Sequence, residues 1–209
     1  MNGTIIKGGY APIEAVTNEK IEYDKIKWLV SEESGGREYD FSPKGDSKEI
    51  WADGKAVLAV DKNSGYDGTL KLIDIIDSVA KDWYGNVIGQ SGRAEYAKAA
   101  ERPKFAWIQA EERSDGKIKV TIYPYCYVPK RTNRKGKTSE ESGFDYEFVD
   151  HNIAIRPNPV DGLVFAEKYM NEFTEFESMP EDLKIWIGAE ETQQSTTPTT
   201  KSKSTTTTS

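Results

Sequence analysis

Cysteine and histidine are almost missing from this chain. One cysteine, Cys126, excludes an intrachain disulfide and a cysteine-rich metal site, and one histidine, His151, excludes a histidine-rich centre. Long apolar runs are missing too, since no stretch approaches the ~20 residues needed to cross a bilayer. The start, Met1-Asn2-Gly3-Thr4-Ile5-Ile6-Lys7, lacks a basic segment followed by an apolar one, so no signal peptide is read and synthesis and folding in a cytoplasm are expected. Cations are in the minority, 28 Lys and Arg against 35 Asp and Glu, for a net charge of −7. Gripping nucleic acid requires cations that displace condensed counterions, so this balance argues against such a role. It is compatible with a wall that DNA slides past.

Catalytic signatures are also lacking. The chain contains no Gly-x-Ser-x-Gly elbow, Walker loop or dinucleotide fingerprint. His151 has no partner visible in sequence, and Cys126 reads as a small core residue. Asp61, Asp67, Asp74 and Asp77 cluster along the chain, but a hydrolytic carboxylate pair is defined by meeting in space. We therefore expect no enzyme, no catalytic residue, no metal ligand and no cofactor.

Aromatic residues are plentiful, with five tryptophans and eleven tyrosines, which favours β-rich structure or an extensive interface. Residues 48–85 organise the rest. Asp53-Gly54 sits between two extended arms and suits a two-residue turn, and Asn63-Ser64-Gly65 reads as a second turn. Tyr66, Gly68, Leu70 and Leu72 then share one face of a strand, with Asp67, Thr69 and Lys71 on the other. The glycines of Gly65-Tyr66-Asp67-Gly68 suit a bend or a close backbone approach rather than a phosphate cradle. From Asp74 the period becomes helical: Ile75, Ile76, Val79, Ala80 and Trp83 form one stripe, with Asp74 as cap, Asp77 in the first turn and Gly85 as terminator.

The remaining chain divides as follows. Residues 1–20, with Gly8 and Gly9, read as a flexible N-terminal arm, 21–189 as the folded domain, and the Thr/Ser-rich 190–209 as a disordered linker. Residues 21–30 read as a strand with Ile26, Trp28 and Val30 on one side. Residues 86–102 suit a helix or an irregular connection. Residues 104–113 and 117–128 form a second hairpin about Ser114-Asp115-Gly116. There Ile118, Val120 and Ile122 oppose a row of Tyr123, Tyr125 and Tyr127, which suits either a doubly covered sheet or a contact between subunits. The loop 129–142, with Lys130 to Lys137, is either a solvated loop or a cationic contact for an acidic neighbour. Residues 143–156 return to strand alternation. Phe165, Ala166, Tyr169, Met170 and Phe173 predict a helix, and Ser178 to Glu181 a capping box. The fold class expected is mainly β (α+β): an antiparallel β-sandwich or partly closed barrel with one or two flanking helices and a long protruding hairpin.

The runs Ile50 to Gly54, Asn63 to Leu72 and Asp82 to Gly85, in that order, resemble the major tail protein of long-tailed, non-contractile bacteriophages, over roughly residues 5–175. The resemblance implies a virion protein that assembles in the host cytoplasm into stacked, hexameric rings forming the tail tube. Its partners would be itself and other tail proteins (tape measure, tail terminator, distal tail protein). DNA would pass through the lumen without sequence-specific binding, and no membrane anchor is implied. It also makes the long loop at about 37–60 the intersubunit element, with Tyr39, Phe41, Ile50, Trp51, Val57 and Leu58 as candidates; the alternative for that segment is an ordinary surface hairpin. Two rival functions stay open: a tail connector or tube-end protein of the same fold, and a carbohydrate-binding β-sandwich using Trp51, Trp107 or the tyrosine row as a platform.

Overall fold

The computed structural model describes residues 3–30, 35–52, 55–96, 101–132 and 148–188. In chain order the elements are β1 (Thr4–Val16), β2 (Ile21–Tyr23), β3 (Lys27–Trp28), β4 (Gly36–Ala52), β5 (Lys55–Leu72), α1 (Asp77–Tyr84), β6 (Val87–Gly89), β7 (Gly92–Ala94), β8 (Lys104–Glu112), β9 (Ile118–Tyr127), β10 (Val149–Ile155), β11 (Ala166–Met170) and α2 (Leu183–Trp186). The fold is mainly β. One nine-stranded antiparallel sheet runs β2-β1-β8-β9-β10-β5-β4, with β3 beside β1 and β11 beside β9.

Strict alternation along β8 fills two cores, because successive side chains point to opposite faces. Phe105 and Trp107 join Tyr10, Leu70, Leu72, Ile153 and Ile155 under the Trp83 face of α1. Ala106, Ile108 and Ala110 join Val120 and Ile122 on the other face, which Phe173, Phe176, Met179, Leu183 and Trp186 cover. The sheet curls around the first core. A Cβ on Gly36 would lie 3.9 Å from the Ile5 side chain, the Phe41 ring lies 5.5 Å from Tyr123, and Tyr66 lies 6.1 Å from Phe165. The β4–β5 hairpin thus lies across β1 and β9 before it leaves the body.

Several expectations are corrected. Residues 4–16 are no arm: β1 is flanked by β8 on one side and by β2 and β3 on the other. Its glycines admit rings rather than motion, since a Cβ on Gly8 would sit 2.8 Å from the Trp107 ring and one on Gly9 2.6 Å from the Trp28 ring. The helix expected around 165–173 is β11, whose register runs from Ala166↔Ile122 to Met170↔Ile118. Apolar residues on both faces of a strand mimic a helical stripe. Asn63-Ser64-Gly65 is no turn, because β5 continues through it with Gly65 at φ 96°.

Residues 21–30 make two short strands, with Val30 half exposed and Leu29 buried in its place. Residues 87–94 form a small hairpin, β6 with β7. The α1 helix lies where the stripe predicts it, closed by Gly85 at φ 71°, but Asp74 binds the Ile75 N–H and does not cap it. The cap of α2 is Asp182, not Ser178. The Asp53-Gly54 turn, most of the 129–142 loop, Phe144, Tyr146 and the 190–209 segment lie outside the described residues.

Candidate functional site

The β4–β5 hairpin runs beyond the strand that joins it to the rest of the sheet. Strand β5 pairs with β10 only from Tyr66 to Leu72. It pairs with β4 over its whole length, out to Ala52↔Lys55. From Gly45↔Asn63 outward, among the described residues, the two strands pair only with each other, an arm of roughly 25 Å at ~3.3 Å per residue. A two-stranded ribbon is marginal in water unless something else packs on it.

Of the candidate intersubunit residues, Ile50, Trp51, Val57 and Leu58 fall on this arm, where Ile50 faces Leu58 and Trp51 faces Ala56 in register. Their side chains lie outside the described part. Tyr39 and Phe41 are corrected. Their rings lie 5.2 Å apart, half buried against the first core, so they anchor the hairpin to the body instead of reaching outward.

The tyrosine row is also corrected. Opposite β8 the register goes from Phe105↔Cys126 to Trp107↔Tyr123, so β9 carries one extra residue around Pro124 and Tyr125. That bulge flips the parity. Tyr123 turns into the first core together with Cys126, whereas Tyr125 and Tyr127 point to the opposite face. There Lys104 lies 5.6 Å from the Tyr125 ring and Arg156 5.7 Å from the Tyr127 ring. No single three-tyrosine face exists. Trp107 is 1 % exposed and donates its indole N–H to Gln109 Oε1 at 3.0 Å, so it cannot serve as a sugar platform.

Gln109 begins a buried polar ladder that the residue pattern did not reveal. Its amide donates to Glu111 Oε1 at 3.0 Å, and Lys119 pairs with Glu111 Oε2 at 2.9 Å. Burial alone would push the Lys119 ammonium down, but the Glu111 carboxylate outweighs it and holds the group above its ordinary range. Alternation places Gln109 and Glu111 on one face, where Tyr39 of β4 packs beside them.

Among the described residues the outer sides of β2, β3, β4 and β11 have no strand partner. Beside the β11 edge Phe165 and Tyr169 are exposed, with Arg113 5.2 Å from the Tyr169 ring. Unpaired edges template further strands.

A cleft of about 1000 Å³ opens beside α1, lined among others by Tyr84, Asn86, Arg93, Glu95, Arg131 and Asp150. Its three arginines are engaged: Arg131 pairs with Glu95, Arg93 donates to the Ile75 carbonyl at 2.6 Å and Arg102 to the Val128 carbonyl at 2.6 Å. Behind its Tyr84 wall, His151 is fully buried and shares a 2.6 Å hydrogen bond between Nδ1 and the tyrosine hydroxyl. Its Nε2 has no partner among the described residues.

Burial lowers the His151 pKa from 6.5 to about 4. The folded value lies below the unfolded one, so there is no penalty above about pH 6.5 and stability falls as pH drops toward 4. Between pH 7 and pH 4.5 this group alone should remove on the order of 2 kcal/mol. Urea unfolding at both pH values measures it, and His151→Gln should lose correspondingly less on acidification. Equal losses in the two proteins would contradict this account.

No protein-family model, curated protein or solved structure matches this chain.

Proposed function

We propose that this chain is a self-assembling structural protein, the repeating subunit of a phage tail tube. The observation that carries the reading is the β4–β5 arm, which runs past the end of β10 and, among the described residues, pairs with no other strand. Such a ribbon gains stability when a second copy packs on it. The open outer sides of β4 and β11 support the same conclusion, since closure into a ring hides edges that otherwise pair without control. A head-to-tail contact is heterologous, so it closes into rings or propagates as a filament. Rings of six copies, stacked into a tube and met by tape measure, terminator and distal tail proteins, follow from the resemblance of Ile50 to Gly54, Asn63 to Leu72 and Asp82 to Gly85 to the tail-tube family. The net charge of −7 suits a conduit that DNA traverses without sticking.

Negative-stain microscopy and sedimentation of the purified chain test this directly. Rings or tubes that grow with concentration are expected. A monomer at every concentration tried would overturn the reading.

A further inference from the structure

The arm leaves the body at a junction tied from several sides. On β4 the register shifts between Pro43 and Gly45, and a Cβ on Gly45 would run into the Lys62 carbonyl oxygen. At the same level of β5, Gly65 adopts φ 96° and its N–H is held by Asn63 Oδ1 at 2.9 Å. A Cβ on Gly65 would run into the Ile155 carbonyl oxygen at the end of β10. Both strands therefore bend where β10 stops, and only glycine fits.

One guanidinium spans this bend. Arg156 Nη1 donates to the Tyr66 carbonyl at 2.9 Å and the Ile155 carbonyl at 2.8 Å. Its Nη2 donates to Asp67 Oδ1 at 2.5 Å, and the second oxygen of Asp67 pairs with Lys44 Nζ at 3.0 Å. The guanidinium plane also lies over Tyr127 of β9. One side chain thus joins β5, β9 and the end of β10, and through Asp67 it reaches β4.

The geometry points to a fixed elbow: Arg156 and Asp67 are positioning residues that set the direction in which the arm leaves the body, before a second copy arrives. This rests on the reading of the arm as an intersubunit contact. A ribbon about 25 Å long on a loose joint would sweep a wide cone, and docking would have to freeze that motion; a latched joint has removed it already. Lysine at 156 keeps the charge but loses the fork that holds two carbonyls and a carboxylate together.

The test uses spin labels at Ala52→Cys, the last residue of β4, and Ser91→Cys, in the exposed turn between β6 and β7. Cys126 is buried and stays unlabelled. Pulsed electron resonance on dilute protein then gives the distribution of arm-to-body distances. We expect Arg156→Lys and Asp67→Asn to widen it about twofold, and to raise the concentration at which rings form about tenfold. Lys44→Ala, which removes only the outer cation, should widen it less; it keeps the test informative where Arg156→Lys folds poorly. An unchanged distribution in Asp67→Asn and Lys44→Ala overturns the elbow, whatever assembly does. A wider distribution with unaltered ring formation supports the elbow and overturns the arm as the contact between copies.

Discussion

A chain in which residues 47–61 are replaced by Asn-Gly folds into a monomer as stable as the full chain and forms no rings. Asp46 and Lys62 are register partners across β4 and β5, so a two-residue type I′ turn can join them without disturbing the strands below. Among the described residues the strands outward of Gly45↔Asn63 pair only with each other, so their removal takes no strand pairing from the body, and the urea midpoint should stay close to that of the full chain. What disappears is a two-stranded ribbon bearing Ile50, Trp51, Val57 and Leu58. An interface of ordinary size buries about 800 Å² on each partner, and a ribbon of this length supplies much of that. Sedimentation velocity and microscopy at matched concentrations read the outcome. Rings formed at wild-type concentrations by the shortened chain would sink the assignment of the arm. Loss of the cooperative unfolding transition would show instead that the arm belongs to the body.

Local signals were legible where chemistry and structure act over a few residues. The α1 stripe, the αL glycine at 85 and the Ser114-Asp115-Gly116 hairpin follow from neighbours within one turn. The long hairpin was legible as well, yet the part that leaves the body was not. Where the arm begins depends on β10 ceasing to pair at Tyr66, a contact with residues 89 positions further along, Tyr66 meeting Ile155. The same non-local cause hid the role of Tyr39 and Phe41, which look like arm residues until the hairpin lies across β9. Gly8 and Gly9 read as flexible because the tryptophans that need their missing Cβ atoms, Trp107 and Trp28, sit on other strands. The tyrosine row failed for a more local reason. Counting by twos from Tyr123 to Tyr127 ignores Pro124, and a proline inside a strand is a signal for a bulge. Nothing in its neighbours distinguishes Arg156, which ends a strand next to Pro157; its three acceptors come together only once β5 and β10 are side by side.

Trp83→Ala should cost about 4 kcal/mol of stability, the largest effect expected of a single side chain here. An eight-residue helix does not persist in water alone, so α1 exists because its buried face, Val79, Ala80 and Trp83, docks on the sheet. Trp83 does most of that docking. Its ring stacks on Phe105 at 4.5 Å with planes 2° from parallel, and meets Tyr10, Trp107 and His151 edge-on at 5.4, 5.9 and 5.3 Å. Tyr10, Trp107 and His151 are themselves fixed by β1, β8 and β10, so the space left by the indole cannot close. Trp83→Phe isolates the packing from the polarity. The indole N–H has no acceptor among the described residues, so phenylalanine removes a buried unpaired donor together with some area, and the net loss should be nearer 1 to 2 kcal/mol. Urea unfolding followed by circular dichroism gives both numbers. The His151 resonance supplies a local probe, because the imidazole rests against Trp83 and Tyr84 alike. If α1 undocks, that imidazole meets water, and its pKa should return from about 4 toward 6.5 in Trp83→Ala while the strands remain folded. A small loss with an unmoved His151 pKa would mean that Val79 and Ala80 hold the helix without the ring.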